Sequence, residues 1–207
     1  MIEAFSLRTA HLFQDAMASQ ARLRHKVFVA DRGLDHPHFE GMEYDEFDTP
    51  AAVYLVWRDE ARVVRGVARL LRTDRPYMLQ TYWPYLVETG ALPSSASVCE
   101  VTRVCVDRSV NPQVRKVIFP ELLCGINEYF KRHGIVAMTG VTRPHLLEGF
   151  CKTGVTWLGR TQPIEGEMEG AFYVPTDHIR PVRHCALYKL PEHVLMPPEA
   201  LPQGIAA

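Results

Sequence analysis

Two apolar runs with a long helical pattern between them constrain the fold of this chain more than any other feature. The first run, Val98–Val106, reads VCEVTRVCV and predicts a strand. From Gln113 to His133 the apolar residues recur at helical spacing, and Gly134 is well placed to end that helix. Ile135–Val141 predicts a second strand. A strand, a helix and a strand in direct succession predict a sheet with helices packed on it.

The rest of the sequence adds an antiparallel half to this arrangement. The expected elements are one or two amphipathic helices from Thr9 to about Val29, a hairpin of strands Ala51–Trp57 and Arg62–Leu71, a helix from Pro144 to Thr153, and strands Val155–Leu158, Glu169–Val174 and Cys185–Leu190. Asp31–Thr49 is predicted to be a loop, and the tail after about Pro191 to be loose. The order predicts the α/β class: one domain over 1–207, a three-layer sandwich with a mixed, mostly antiparallel sheet.

Composition excludes several classes of function. The 207 residues have a net charge of −1, which provides no overall field to attract nucleic acid or a membrane surface. No apolar run approaches the roughly 18 residues of a membrane span, and the N-terminus does not resemble a signal peptide, so we expect a cytoplasmic protein. The five cysteines contain no close pair, and His36-Pro37-His38 lacks a third ligand. We therefore expect neither a disulfide framework nor a metal site.

An acidic stretch precedes the first hairpin. Gly41–Thr49 reads GMEYDEFDT, and its carboxylates are Glu43, Asp45, Glu46 and Asp48. One interpretation is a solvated loop. The other is a network with Arg24 and Arg69, because a carboxylate held by a bidentate guanidinium is rigid and stays charged. Such a network would suit a zwitterionic ligand, whose amine needs a carboxylate and whose carboxylate needs an arginine.

Glu100 and Arg103 lie inside the otherwise apolar run Val98–Val106. A buried charge without a partner is costly, so two of them in one strand indicate a site more strongly than surface charges do. In a regular strand the two side chains would point to opposite faces, and a β-bulge between them would bring both to one side. The alternative is one edge residue in solvent and one salt bridge in the core. A partly buried carboxylate has a raised pKa and can serve as a general base toward an ammonium group.

Cations are scattered over the C-terminal half, near the ends of the predicted helices. They include Lys116, Lys131 and Lys152. Cations in such positions complement helix dipoles in any protein. They also suit a docking surface for an acidic carrier protein or for the phosphates of a coenzyme.

Several stretches, taken in order, resemble the Lux-type acyl-homoserine-lactone synthases, which make quorum-sensing autoinducers and have an N-acetyltransferase-like fold. The resemblance runs from about residue 22 to 107 and is carried by Arg24, Phe28, GMEYDEFDTPAAVYLV, GVARLLRTDRPYML and CEVTRVCVD. The defining charged and aromatic positions of that family fall on Arg24, Phe28, Asp45, Asp48, Arg69, Glu100 and Arg103. The family usually has Trp where this chain has Leu34, so an indole of the donor pocket is replaced.

The resemblance implies a reaction. The amine of S-adenosylmethionine attacks an acyl thioester of acyl carrier protein or coenzyme A, and the methionine carboxylate then displaces the sulfonium, which releases methylthioadenosine and closes the lactone. S-adenosylmethionine is a substrate here, and no cofactor is implied. Glu100, Arg103 and Asp45 would be catalytic, with Glu100 as the base. Residues expected to hold S-adenosylmethionine are Arg24, Phe28, Asp45, Asp48, Arg69 and Arg103.

The acyl chain is expected to lie against the predicted strand and helix that follow His133. Its candidate pocket residues are Met138, Thr139, Thr142, Leu146 and Phe150. Either Thr139 or Thr142 would meet an oxidised third carbon, since strand alternation turns only one of them inward. Two other functions remain open, namely acyl transfer to another amine and a non-catalytic protein that binds ligand or carrier. The sequence does not fix acyl length, carrier or oligomeric state.

Overall fold

The fold is an eight-stranded sheet covered by helices on both faces. The computed structural model describes residues 1–148, 154–179 and 186–196. The strands are β1 Ile2–Ser6, β2 His38–Phe39, β3 Met42–Glu43, β4 Val53–Arg58, β5 Val64–Arg72, β6 Val98–Val106, β7 Ala137–Thr142, β8 Thr156–Trp157, β9 Gln162–Ile164 and β10 Glu167–Pro175. The α-helices are α1 Ala16–Arg24, α2 Met78–Tyr82, α3 Pro112–Arg132 and α4 Pro144–Glu148. Among the described residues, no helix is long and apolar enough to cross a membrane.

The large sheet is mixed but mostly antiparallel, as predicted. Its strand order is β1-β4-β5-β6-β7-β10-β8, with β9 paired to β10, while β2 and β3 form a separate small hairpin. Within this order only β6 and β7 are paired in parallel, and α3 makes the crossover between them. The central run Val98–Val106 is a strand with the predicted bounds, and α3 ends at Arg132, close to Gly134, which has a φ of +65°.

Alternation along the strands creates two hydrophobic cores. In β4, Tyr54 and Val56 belong to the core that also contains Leu23 of α1, whereas Leu55 belongs to the core that contains Leu122 of α3. Successive side chains of a strand point to opposite faces. The sheet is therefore the middle layer of a three-layer sandwich, with the α1 side on one face and the α3 side on the other.

Two features of β6 shape the centre of the sheet. Its parallel pairing with β7 ends at Glu100 and Thr139, although both strands continue beyond these residues. The two strands therefore separate and leave a gap. On its other side, the pairing of β6 with β5 shifts by one residue at Arg103, whose φ is +51°. An extra residue with this backbone conformation is a β-bulge, as the spacing of the two charges had suggested.

Three predictions about local structure were wrong. The expected strand Cys185–Leu190 is contradicted by a helical turn at Ala186–Tyr188, while Cys185 lies outside the described residues. The segment after Pro191 is not loose as far as Met196, because the N–H of Ile2 donates to Val194 and the N–H of Met196 donates to Ile2. The predicted loop from 31 to 49 contains the β2–β3 hairpin. Short-range propensity could not reveal these tertiary pairings.

Candidate active site

The first site residues lie at the C-terminal end of α1 and in the turn that follows it. The α-helix ends at Arg24 and continues as a π-helical turn, His25–Asp31, which carries Phe28. A π-helical turn changes the angular spacing of side chains and is frequent at functional sites. The Arg24 side chain is fully buried, and Phe28 is a buried member of the core on the α1 side. The end of α1 thus places Arg24 beside the acidic stretch, and the turn places Phe28 in the cavity wall.

Arg24 is the centre of the first half of a charge network. Its Nη1 and Nη2 donate to Oδ1 and Oδ2 of Asp48 at 2.8 and 2.9 Å, which is a bidentate pair. Its Nε donates to Glu43 Oε2. The Tyr54 hydroxyl donates to Asp48 Oδ1 at 2.5 Å. Glu43, whose role the sequence left undecided, is thus a fully buried member of the network.

Arg69 is the centre of the second half. It binds Asp45 through Nη1 at 2.5 Å and Nη2 at 2.8 Å, and its Nη1 also lies 2.9 Å from Asp48 Oδ1. Its Nε donates to Thr102 Oγ1 of β6 at 3.1 Å. The acidic stretch is therefore folded onto the sheet and not solvated, except at Glu46, which is exposed and accepts a hydrogen bond from Tyr82.

The bulge directs Arg103 into the same network. Its Nη2 lies 2.9 Å from Glu43 Oε1 and 2.9 Å from Asp45 Oδ2. Its guanidinium also lies over the Phe28 ring, 5.6 Å from the centroid. A non-glycine residue at positive φ is strained, and such residues cluster at functional sites. Three arginines and three carboxylates thus form a closed network in which the six charges balance.

The network keeps Glu43 and Asp48 ionised. Burial raises the pKa of the Glu43 carboxyl, but the neighbouring His36 ring and the charges of Arg103 and Arg24 outweigh it and lower that pKa to about 2. Burial also raises the pKa of the Asp48 carboxyl, but Arg24 and Arg69 outweigh it, so the pKa of Asp48 lies well below the usual range. The network is therefore a fixed, charged frame.

Glu100 is different from the other carboxylates of the site. It is 1% exposed and forms none of the ion pairs of the network found in the described residues. Its two oxygens accept hydrogen bonds from the backbone N–H groups of Met78 and Leu79, both at 2.8 Å. Burial raises the pKa of Glu100 to about 7, against the opposing effect of these two N–H groups. A carboxyl group with this pKa can take and return a proton near neutral pH.

A cavity of about 450 Å³ occupies the gap between β6 and β7. On the α1 side its wall includes Phe28, His36, Trp83, Glu100 and Arg103, and on the α3 side Leu123, Ile126, Met138, Leu147, Phe172 and Ile179. The cavity therefore passes through the sheet, from the charged frame on one face to an apolar chamber on the other. Two substrates can meet in it from opposite faces.

His36 is a cavity residue that the sequence did not predict for the site. Its Nε2 lies 2.9 Å from Glu165 Oε1, and its Nδ1 lies 3.5 Å from Glu43, too far for a good hydrogen bond. Its ring centroid is 5.9 Å from that of Phe28. Leu34, in contrast, packs against the core and does not appear in the cavity wall, and Phe39 is 70% exposed. Of His36, Leu34 and Phe39, only His36 therefore places its side chain beside Phe28 in the cavity wall.

Comparison with known proteins identifies the family. The family model described as autoinducer synthase matches residues 9–181. The chain belongs to the autoinducer synthase family. The match extends well beyond residue 107, where the sequence resemblance ended, so the predicted family is confirmed.

Individual members of the autoinducer synthase family and more distant proteins agree with this assignment. The isovaleryl-homoserine lactone synthase of Bradyrhizobium diazoefficiens is 31% identical over 170 residues, which cover 80% of this chain and 75% of that protein. The structure of BjaI, a CoA-dependent acyl-homoserine lactone synthase with SAM and isopentyl-CoA, aligns with a TM-score of 0.83 and 26% identity, covering 95% of this chain and 92% of that one.

A third comparison concerns the fold alone. A putative N-acetyltransferase from Lactobacillus plantarum aligns with a TM-score of 0.56 and 16% identity, covering 84% of this chain and 98% of that one. The predicted N-acetyltransferase-like sandwich is thereby confirmed. Among the described residues of this autoinducer synthase, no group of three or more His, Cys, Asp or Glu is arranged to hold a metal ion.

The predicted acyl-pocket residues of the synthase are only partly brought together. Met138, Thr142 and Leu146 line the cavity. Thr139 is fully buried and its hydroxyl donates to the backbone oxygen of Phe172 at 2.7 Å, so it serves the β7–β10 pairing. Phe150 lies outside the described residues. Of the two threonines considered for contact with an oxidised third carbon, Thr142 is therefore the one in the cavity wall.

The predicted docking cations of the synthase do not form one patch. Lys116 and Lys131 are both exposed, but they lie near opposite ends of α3. At a rise of 1.5 Å per residue the two positions are about 22 Å apart along the helix axis. Lys152 lies outside the described residues. The α3 residues of the cavity wall, Phe119, Leu123 and Ile126, lie between the two lysines. Lys116 is three residues from Phe119, and Lys131 is five residues from Ile126.

Proposed function

We propose that this chain synthesises an N-acyl-homoserine lactone from S-adenosylmethionine and a short, branched acyl-coenzyme A. The observation that carries the proposal is the cavity that crosses the sheet between β6 and β7. It joins a balanced frame of charges, suited to a zwitterion, to an apolar chamber, suited to an acyl chain. The cytoplasmic location expected from the sequence is part of the same proposal.

In the first step Glu100 accepts a proton from the substrate ammonium. The neutral amine then attacks the thioester carbonyl, and the tetrahedral intermediate collapses to the amide as its C–S bond breaks. The attacking nitrogen loses its second proton in this step, the departing sulfur gains one, and coenzyme A leaves as the thiol. A base works best when its pKa is near the working pH, and the pKa of Glu100 is about 7. The hydrogen bonds from Met78 and Leu79 fix the Glu100 carboxylate, and each of its oxygens keeps a second lone pair for the substrate.

The developing oxyanion needs donors, and β6 can supply them. Beyond Glu100 the strand is not paired with β7, so its backbone on that side faces the gap. Backbone N–H groups that are fixed before the reaction stabilise an oxyanion without reorganisation. The bulge at Arg103 sets their direction. In this scheme the bulge serves both the oxyanion and the charged frame.

In the second step the methionine carboxylate attacks its own γ-carbon. The C–O bond of the lactone forms while the C–S bond breaks, and the electron pair moves to sulfur, so that methylthioadenosine leaves as a neutral thioether. Arg103, the frame arginine that lines the cavity, holds the carboxylate end. Arg24, Arg69, Asp45 and Asp48 are behind it in the frame and fix its position. Holding the reacting atoms together in this way can lower the barrier as much as proton transfer does.

The acyl donor is assigned from the apolar chamber and from the relatives. One relative is an isovaleryl-homoserine lactone synthase, and one similar structure contains isopentyl-CoA. Bulky side chains such as Met138, Phe172 and Leu147 face the chamber in this chain. With Thr139 turned away, the chamber offers few groups for an oxidised third carbon. We therefore expect an unoxidised, compact acyl group.

The test is to incubate the purified protein with S-adenosylmethionine and a panel of donors. The panel contains isovaleryl-, butyryl-, octanoyl- and 3-oxo-octanoyl-coenzyme A, and isovaleryl acyl carrier protein. Mass spectrometry should detect methylthioadenosine and isovaleryl-homoserine lactone, with the coenzyme A donor preferred. No methylthioadenosine with any donor would contradict the proposal. K116E should raise KM for the coenzyme A donor more than K131E does, because Lys116 is within one helical turn of Phe119 in the cavity wall and Lys131 is more than one turn from Ile126.

A further inference from the structure

Glu169 is a carboxylate of the cavity wall for which the steps above have no use. It lies on β10 where that strand passes from its pairing with β9 to its pairing with β7, and it is half-buried. Ala171, two residues further on, belongs to the core on the α1 side. Because residues two apart in a strand share a face, Glu169 points to the side of the charged frame.

Glu169 stands apart from the other acids of the cavity in its surroundings. Within the described part of the chain it forms no hydrogen bond or ion pair through its side chain, whereas Glu165 of the cavity wall is paired with His36 and Glu100 accepts two backbone hydrogen bonds. Burial and the charges of Glu165 and Glu167 raise the pKa of Glu169, and the charges of Arg32 and Arg143 act in the opposite direction. The frame of three arginines and three carboxylates is already balanced, and Glu100 serves the substrate ammonium. A second cationic group bound in the cavity would therefore be matched by Glu169.

We propose that Glu169 faces the sulfonium of S-adenosylmethionine and makes the enzyme bind this substrate more tightly than the product methylthioadenosine. The inference rests on the proposed function. When the C–S bond breaks, the sulfonium becomes a neutral thioether, so the attraction of the carboxylate for the ligand disappears in the same step. Glu169 thus favours entry of the substrate and release of the product.

The spacing of the sheet fits this assignment. Glu100 is level with Thr139 of β7, which is level with Tyr173 of β10. Glu169 is four residues from Tyr173, or roughly 13 Å along the strand at about 3.3 Å per residue, and β10 lies two strands, or roughly 10 Å, from β6. The Cα atoms of Glu100 and Glu169 are therefore roughly 16 Å apart. The four bonds from the amine nitrogen to the sulfur span at most about 5 Å, and a contact of up to about 4 Å at each end extends the reach to about 13 Å. The Glu169 side chain, about 4 Å long, covers the remaining distance.

The experiment measures the dissociation constants of S-adenosylmethionine and methylthioadenosine by calorimetry for three proteins. They are the wild type, E169Q and the control E167Q, whose position is on the same strand but paired with Arg143 at the surface. E169Q should raise the constant for S-adenosylmethionine about tenfold, which corresponds to roughly 1.4 kcal/mol. E169Q should leave the dissociation constant of methylthioadenosine unchanged. E167Q should change neither constant.

Two results would overturn the inference. Equal weakening of both ligands would mean that Glu169 binds the adenosine part, and no change would mean that it binds no part of the ligand. If E169Q does not fold, the wild type alone gives the answer, because S-adenosylhomocysteine carries the same zwitterion on a neutral sulfur. It should bind about tenfold more weakly than S-adenosylmethionine, and equal binding would contradict the role. If the wild type releases no methylthioadenosine with any acyl donor, it is the proposed function that fails.

Discussion

Glu100 and Arg103 reach the same face of the sheet although they are three positions apart, because the bulge at Arg103 inserts one residue into β6. Glu100, a proton acceptor with a raised pKa, therefore lies on the same face of the sheet as Arg103 of the charged frame. In a regular strand one of the two would point into the α3 core. The bulge is thus a requirement of the site and not a local irregularity.

The first prediction concerns Glu100 as the base. E100Q should lower kcat by about 10²–10⁴, since the amine would lose its proton acceptor. In the wild type, kcat/KM should rise with pH through about 7, because the base works only when deprotonated. The exposed neighbour of the frame, E46Q, should keep the wild-type profile. Wild-type turnover by folded E100Q would refute the assignment.

Arg24 should contribute strongly to the stability of the frame. R24A removes one of the two arginine partners of both Asp48 and Glu43, and removing one member of a buried ion pair costs about 3–5 kcal/mol. The exposed Arg22 of the same helix is the matched control, and R22A should change the free energy of unfolding by less than about 0.5 kcal/mol. Urea denaturation measures both. Similar losses for the two variants would contradict the role of the network.

The stability of the protein should fall in acid through Glu43. Its pKa is about 2 in the folded protein and 4.5 in a model compound, so its contribution is complete above about pH 4.5 and is lost as pH falls toward 2. The free energy of unfolding, measured at several pH values, should decrease with a shallower slope in E43Q. The exposed E40Q should keep the wild-type slope. An unchanged slope in E43Q would exclude this cause.

Thr139 and Thr142 offer a matched test of the acyl chamber. T139V removes a hydroxyl bonded to the backbone of β10, so it should cost about 1–3 kcal/mol of stability and leave donor preference unchanged. T142V alters the cavity wall and should change the ratio of kcat/KM for isovaleryl- and 3-oxo-octanoyl-coenzyme A. Thermal unfolding and donor competition measure the two effects. Exchange of the two phenotypes would show that Thr139 and not Thr142 meets the acyl chain.

The sequence predicted what depended on local pattern and composition. Val98–Val106 is a strand with the expected bounds, and charges inside such an apolar run correctly marked a network. His36 and Glu165 were missed because 129 residues separate them and only the fold brings them together. The segment near Val194 was expected to be loose because of its prolines. Its pairing with Ile2 is a tertiary contact that composition does not reveal.

The cavity that crosses the sheet also determines the order of chemical events. When each substrate has its own side of the sheet, both are bound at once and the acyl group passes directly to the amine. Nothing in the described site offers an intermediate carrier, since burial raises the pKa of the Cys99 and Cys105 thiols to about 12. Initial rates should therefore give intersecting double-reciprocal lines, as for a ternary complex, and not the parallel lines of a ping-pong enzyme.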